Sequence, residues 1–304
     1  MPNYVEPFAG SLAVLLGRPH APGVETVNDR DCFLANFWRA LQSDPDEVAF
    51  YADQPVNEAD QHARHLWLVT QTTEWSERMK TDPDYYDAKI AGWWVWGQCI
   101  WIGSGWCSEL RKLPHLGTAG TGVHRKLPHL GTAGTGVHRK LPHLGPGSDG
   151  SGYKTSYSDS VIAYMRELAE RLRRVRVCCG DWSRVCGPSP TFKHGLTGVF
   201  LDPPYAAEAD RNEDLYSVDD LSVAHEVREW AITNGDNPLL RIALCGYEGE
   251  HEMPGTWECV AWKAKGGYGS QGDGRGRTNA GRERIWFSPH CLKLGLFSEE
   301  DLAS

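Results

Sequence analysis

Asp202-Pro203-Pro204-Tyr205 stands directly behind the apolar run Gly198-Val199-Phe200-Leu201. A short β-branched and aromatic run that stops at proline is the pattern of a buried central strand, which commits the chain to an α/β sheet. In open sheets of that class, ligands sit beyond the carboxyl ends of the strands, so the tetrad falls where chemistry takes place. Its residues suit a planar ring that carries an amino group. Asp202 supplies a carboxylate acceptor. Pro203 brings no N–H to compete and biases Asp202 toward extended backbone. Pro204 does the same for Pro203, leaving the Pro203 carbonyl as a second acceptor, and Tyr205 offers a face for stacking. A plain strand-to-loop turn is the alternative reading of these four residues alone.

The amino-terminal residues read as the other half of a ligand site. Tyr4-Val5-Glu6-Pro7-Phe8-Ala9-Gly10-Ser11 is a short strand running into a glycine turn, and Leu12–Leu16 opens a helix. Thr26-Val27-Asn28-Asp29 ends a second strand, with Asp29 19 residues after Gly10. A glycine turn after the first strand, with an acid about 20 positions on, brings backbone close to a nucleoside and a carboxylate to its ribose hydroxyls. Val175–Cys179 is a further strand, and it ends at Gly180-Asp181-Trp182. An acid at that end is well placed for the exocyclic amine of an adenine.

These segments together resemble the Dam-like DNA adenine-N6 methyltransferases of phage and bacterial type, which use S-adenosylmethionine. The matching residues are the tetrad, Glu6-Pro7-Phe8-x-Gly10, Asn28-Asp29, the Gly180-Asp181-aromatic element, and Gly274-Arg275-Gly276-Arg277 ahead of a strand ending Ser288-Pro289. The resemblance covers about 4–41, 160–205 and 240–290. It implies that Glu6, Pro7, Phe8 and Gly10 line the S-adenosylmethionine pocket and that Asp29 holds the ribose. It assigns Asp181 to the cofactor adenine with Trp182 beside it, and makes Asp202, Pro203, Pro204 and Tyr205 the catalytic set. Two departures stand out. Leu12 replaces the family's second glycine, and no Lys/Gly-rich element precedes the first strand. The implied activity is methyl transfer to adenine N6 in DNA after base flipping. Cytosine-N4 methylation stays open as the same chemistry on a similar amine, although a leading Asp rather than Ser favours adenine. A non-catalytic DNA-binding relative also stays open.

Composition bounds the rest. A chain of 304 residues can bury one large core with an insertion, or form two domains. No stretch reaches the length of a membrane span, and the first residues lack the basic and apolar regions of a signal peptide. The nine cysteines include no C-x-x-C pair, which argues against a disulfide framework and a zinc site and for a reducing, cytoplasmic setting. Cys178 and Cys179 read as reduced core thiols.

Residues 111–145 are an internal repeat. Arg111–His124 reads RKLPHLGTAGTGVH, Arg125–His138 repeats it unchanged, and Arg139–Gly145 begins a third copy. The segment holds six Lys/Arg and no Asp/Glu on a chain of net charge −9, so the body is more acidic than the whole. The pairs Arg111-Lys112, Arg125-Lys126 and Arg139-Lys140, interleaved with glycine amides, suit phosphate contact, and a solvated low-complexity loop is the alternative. The recurring histidines have no carboxylate or thiolate beside them, so no metal is assigned. Lys263–Arg282, with seven glycines and Arg275 and Arg277, reads as a nucleic-acid-contacting loop or a disordered one. The tryptophans 93, 94, 96, 101 and 106 pack a helix into a subdomain or stack on a displaced base.

Helices are predicted over 31–41, 44–53, 58–79, 160–174 and 215–234. A strand is predicted over 240–245, and an antiparallel closing pair over 258–262 and 284–287. The expected fold is α/β: a doubly wound, Rossmann-like methyltransferase sheet with an inserted target-recognition region that contains the 14-residue repeats. Residues 1–45 and 156–304 form the catalytic domain in this reading, and 46–155 the insertion. The expected partner is double-stranded DNA without membrane association, for a monomer or weak dimer. A companion nuclease of a restriction-modification pair is left open.

Overall fold

A computed structural model describes residues 1–18, 23–82, 84–101, 106–107, 157–204, 222–262 and 281–291. Five parallel strands form its centre: β1 (Asn3–Glu6), β2 (Val24–Asp29), β3 (Val175–Cys179), β4 (Thr197–Leu201) and β5 (Leu240–Tyr247). The sheet order is β3-β2-β1-β4-β5-β7-β6, where β6 is Glu258–Ala261 and β7 is Glu283–Phe287. β7 runs antiparallel to both β5 and β6, the closing pair the sequence predicts. From β1 the chain winds outward to β2 and β3, then crosses back to β4 on the other side. The β1–β4 boundary is therefore the topological switch point, and the loops leaving these strands flank one crevice.

Alternation along the strands feeds two cores. Tyr4 and Val27 join one with helices α1 (Ala13–Gly17), α2 (Cys32–Ser43) and α6 (Tyr157–Leu172). Val5, Val199, Leu201, Ile242 and Leu244 join the other, with α7 (Ser183–Cys186) and α8 (Val223–Asn234). Helices on both faces explain why β1, β2 and β4 are buried almost throughout. The 215–221 part of the expected last helix lies outside the described residues.

Between β2 and β3 come α3 (Pro45–Ala52), α4 (Glu58–Thr81) and α5 (Ala88–Ile100). Each of α2–α5 starts at a side-chain cap: Asp31 accepts from Phe33 N, Asp44 from Glu47 N, Asn57 from Asp60 N and Asp87 from Ile90 N. Gly92 lets α3 and α5 touch, since a Cβ there would lie 2.3 Å from Tyr51 Cβ. Trp94, Trp96, Trp101 and Trp106 are buried, so the tryptophan stripe is packing. His65 stacks on Trp101 at 5.2 Å and Arg64 lies over Trp96 at 4.2 Å. The 14-residue repeats lie outside the described residues. No helix among the described residues is long and apolar enough to cross a membrane. All nine cysteines are free thiols.

One ion pair ties α6 to the sheet across 146 residues of sequence. Arg171 Nη1 and Nη2 donate to Glu25 Oε2 and Oε1 at 2.7 and 2.8 Å, and Nη2 also donates to the Leu15 carbonyl at 3.0 Å. Glu25 is buried, so Arg171→Met should lower stability by about 1–3 kcal/mol by stranding its charge. Adding Glu25→Met should recover much of that loss. Denaturant titration of both variants measures it, and an unchanged midpoint for Arg171→Met would show that the pair contributes nothing.

Candidate functional site

The turn after β1 is held in a conformation that side chains rarely adopt. Gly10 has φ +48°, and Leu12, at the start of α1, has φ +57°. Such backbone costs a leucine of order 1–3 kcal/mol, which the surroundings must over-determine. Here they do. The Leu12 side chain is fully buried, and the Leu12 N–H donates to the Ala9 carbonyl at 2.8 Å. The turn thus keeps a glycine-like course at the position where the resemblance loses its second glycine.

Asn28 and Asp29, at the end of β2, fix this turn to the end of β3. The Asn28 amide donates to the Pro7 and Gly180 carbonyls, both at 3.0 Å. Asp29 Oδ2 accepts from Gly10 N at 3.1 Å and Oδ1 from Asp31 N at 2.9 Å, while its backbone carbonyl accepts from Gly180 N at 3.0 Å. Asp181, just past β3, accepts from both the N–H and the hydroxyl of Ser183 through Oδ1.

These elements enclose a cavity of about 610 Å³ at the carboxyl ends of the strands. All seven residues expected around a nucleoside line it: Glu6, Pro7, Phe8, Gly10, Asp29, Asp181 and Trp182. Asp202 and Pro204 line it from β4. Pro203 is buried, and Tyr205 lies outside the described residues. So do Arg111, Lys112, Arg125, Lys126, Arg139, Lys140, Arg275 and Arg277, the residues expected to contact DNA. The rings of Phe8 and Trp182, 6.1 Å apart, form an aromatic wall at the Asp29–Asp181 end. Val223, Cys245, Ile285 and Trp262 line it as well. Trp262 is 55 % exposed, a large ring left at the rim.

Sequence reasoning missed those four and the Asn28 clamp. For Asn28 the signal was available: a carboxamide inside a strand needs partners for its buried polar atoms. For Trp262 it was an indole at a strand end next to a glycine-rich stretch. Cys245 and Ile285 read as ordinary strand residues, and only the fold turns them to the cavity.

Glu6, Asp29, Asp181 and Asp202 line the cavity together with one cation, Arg30, so its charged lining is predominantly acidic. Burial pushes the Glu6 carboxyl up to about 8, and the charge of Asp202 adds to the rise. The Tyr4 hydroxyl, which donates to Glu6 Oε2 at 3.1 Å, and the Leu15 backbone N–H pull it back. Burial lifts Asp29 to about 6 against the backbone N–H groups of Asp31 and Gly10. Glu283 is raised by burial and then by Asp202. A concavity of this size with several carboxyls and two aromatic faces can hold a cationic, ring-bearing ligand. Among the described residues no group of three His, Cys, Asp or Glu could hold a metal ion.

No protein-family model matches the chain. No curated protein matches it either.

The Glu6 shift has a sign that can be checked. From its ordinary 4.5 up to about 8, the native state holds a proton that the unfolded state has released. Stability from this group therefore falls as pH rises through that window, and Asp29 adds the same trend from 3.8 to about 6. Glu6→Gln removes the larger part, so its stability advantage over the wild type should grow from pH 5 to 8 and then level off. Parallel unfolding curves at all pH values would overturn the shift.

Proposed function

We propose that the protein is a DNA methyltransferase that transfers a methyl group from S-adenosylmethionine to the N6 amino group of adenine, with the target base flipped out of the duplex. The observation that carries this reading is convergence. Segments near residues 6–10, 29, 181–182 and 202–204 are far apart in sequence, yet they line one cavity at the sheet's switch point. They are also the segments on which the resemblance to Dam-like enzymes rests.

The residues fit the cofactor. The Asp29 carboxylate accepts from the backbone N–H groups of Gly10, Asp31 and Arg30, and with about four lone-pair sites it keeps capacity for a ribose hydroxyl. Asp181 spends Oδ1 on Ser183, so Oδ2 is the acceptor for an adenine amine beside Trp182. Asp202, and Glu6 once it has lost its proton, offer negative charge to a cation. When bound, S-adenosylmethionine supplies a methyl group activated by a sulfonium. The chain's own work lies at the tetrad. Asp202 and the Pro203 carbonyl accept the two hydrogens of the target amine, which draws its lone pair out of conjugation with the ring and aims it. Pro204 stiffens this segment, and Tyr205 serves as the stacking face in this reading. The proton leaves after the nitrogen has acquired positive charge, so no strong base is needed. Catalysis then comes from positioning and placed charge.

Asp202→Ala should lower methyl transfer by more than about 100-fold, as for loss of one placed polar group at the reacting centre, while S-adenosylmethionine still binds. Loss of binding with the fold intact would mean that the tetrad is wrongly assigned. Treated DNA digested to nucleosides and weighed should contain N6-methyladenine. N4-methylcytosine would shift the reading to cytosine, and no methylated base would leave a binding protein.

Cofactor binding carries its own signature. A cation requires Glu6 ionised, so S-adenosylmethionine affinity should rise between pH 6 and 8 with release of a proton, measured by calorimetry in buffers of different ionisation heat. Glu6→Gln should remove that proton release. A pH-independent affinity would place the cation away from Glu6.

A further inference from the structure

A second concavity of about 280 Å³ lies on the sheet near its β3 edge, lined among others by Thr26, Arg176, Cys178, Arg184, Ser189 and His194. Strand register explains its composition. Thr26 is opposite Arg176 and Asn28 opposite Cys178, and side chains two apart on a strand share a face. Thr26, Arg176 and Cys178 therefore face the same side, where α7 supplies Arg184, the turn after it Ser189, and the 3-10 helix Phe192–His194 its last residue.

Three observations give this cleft a chemistry. Thr26 is 3 % exposed, and its Oγ1 is buried without a hydrogen-bond partner among the described residues. An unmade hydroxyl bond of that kind carries a desolvation cost, which a bond donated to a ligand would recover. Secondly, Arg184 is held in place. Its Nη1 donates to the Cys179 carbonyl at 2.9 Å, and both Arg184 and Arg176 are close enough to pull the Cys178 thiol down against the burial that raises it. Thirdly, residues 173–194 carry Arg173, Arg174, Arg176, Arg184 and Lys193 against a single acid, Asp181, on a chain of net charge −9. That one acid belongs to the other cavity.

We propose that this cleft binds a phosphate group of the nucleic-acid backbone, with Arg176 and Arg184 on the charge and the Thr26 hydroxyl donating to an oxygen. The proposal rests on DNA being the substrate. Such a contact fixes position and carries no sequence information. Its placement is useful, because α7 separates the two sites by one turn. Asp181 and Trp182 face the large cavity, and Arg184 and Val185 face the cleft. A phosphate held there registers the polymer against the wall of the cofactor site.

The test uses the full chain and a short labelled DNA duplex, with binding followed by fluorescence anisotropy over a range of salt. Arg176→Gln should weaken binding roughly tenfold and make the salt slope shallower by about 0.9, the signature of one lost phosphate contact. Thr26→Val is nearly isosteric, so thermal unfolding should be unchanged or higher, while duplex affinity drops without a change of slope. S-adenosylmethionine binding should be retained in both variants. Wild-type duplex affinity and slope in both variants would overturn the proposal, as would a wild-type chain that does not bind the duplex. A nucleoside monophosphate that displaces the duplex from the wild type at stoichiometric levels would also overturn it, making the cleft a free-nucleotide site. Normal duplex binding that depends on Arg176, without any methylated product, would instead sink the methyltransferase reading and leave the cleft standing.

Discussion

The Asn28 carboxamide, 1 % exposed at the end of β2, donates one hydrogen to the loop leaving β1 and the other to the loop leaving β3. Strand pairing alone fixes the strands but not the chain beyond them, and the site is made of what lies beyond. Two backbone bonds reinforce the clamp, from Ala9 N to the Asn28 carbonyl and from Gly180 N to the Asp29 carbonyl. Each such bond contributes only about 1 kcal/mol net, but a buried carboxamide without partners would cost more than that. The clamp therefore forces three loops into one arrangement. The Asp29 carboxylate is oriented as a consequence, since Gly10 N and Asp31 N are where the clamp has put them.

Around that frame the protein accepts strain. Leu12 holds a left-handed backbone because its side chain fills the core beneath α1. Burial raises the cost of charge on Glu6 and Glu283, and the charge of Asp202 adds to it on both. None of this favours folding. A cation entering the cavity relieves the repulsion, so the same carboxyls that weaken the empty protein strengthen its complex. Sites of this kind commonly trade stability for function.

Charge is also divided over the surface. Glu6, Asp29, Asp181 and Asp202 line the large cavity, whereas five cations stand against one acid between residues 173 and 194, the stretch that supplies most of the second cleft. A polyanion is repelled by the former and attracted by the latter, so its orientation on the protein is restricted before any specific contact forms.

Much of this was legible in the sequence. Proline stops, glycine turns and apolar periodicity depend on neighbours along the chain, and they located β1, β2, β3 and β4, the Asp31 cap of α2 and the closing pair. The seven residues expected around the nucleoside do line one cavity, because each belongs to a strand end or the turn after it, which local pattern reveals. What only the tertiary structure decided are the pairings across long separations. Arg171 reaches Glu25, Trp262 and Cys245 come to line the cavity, and the Thr26 hydroxyl is left without a partner among the described residues, beside Arg176. Sequence assigns a residue to an element, but the winding of the sheet chooses its neighbours. Burial then sets the charge state, as it does for Glu6, and no composition or spacing contains that term.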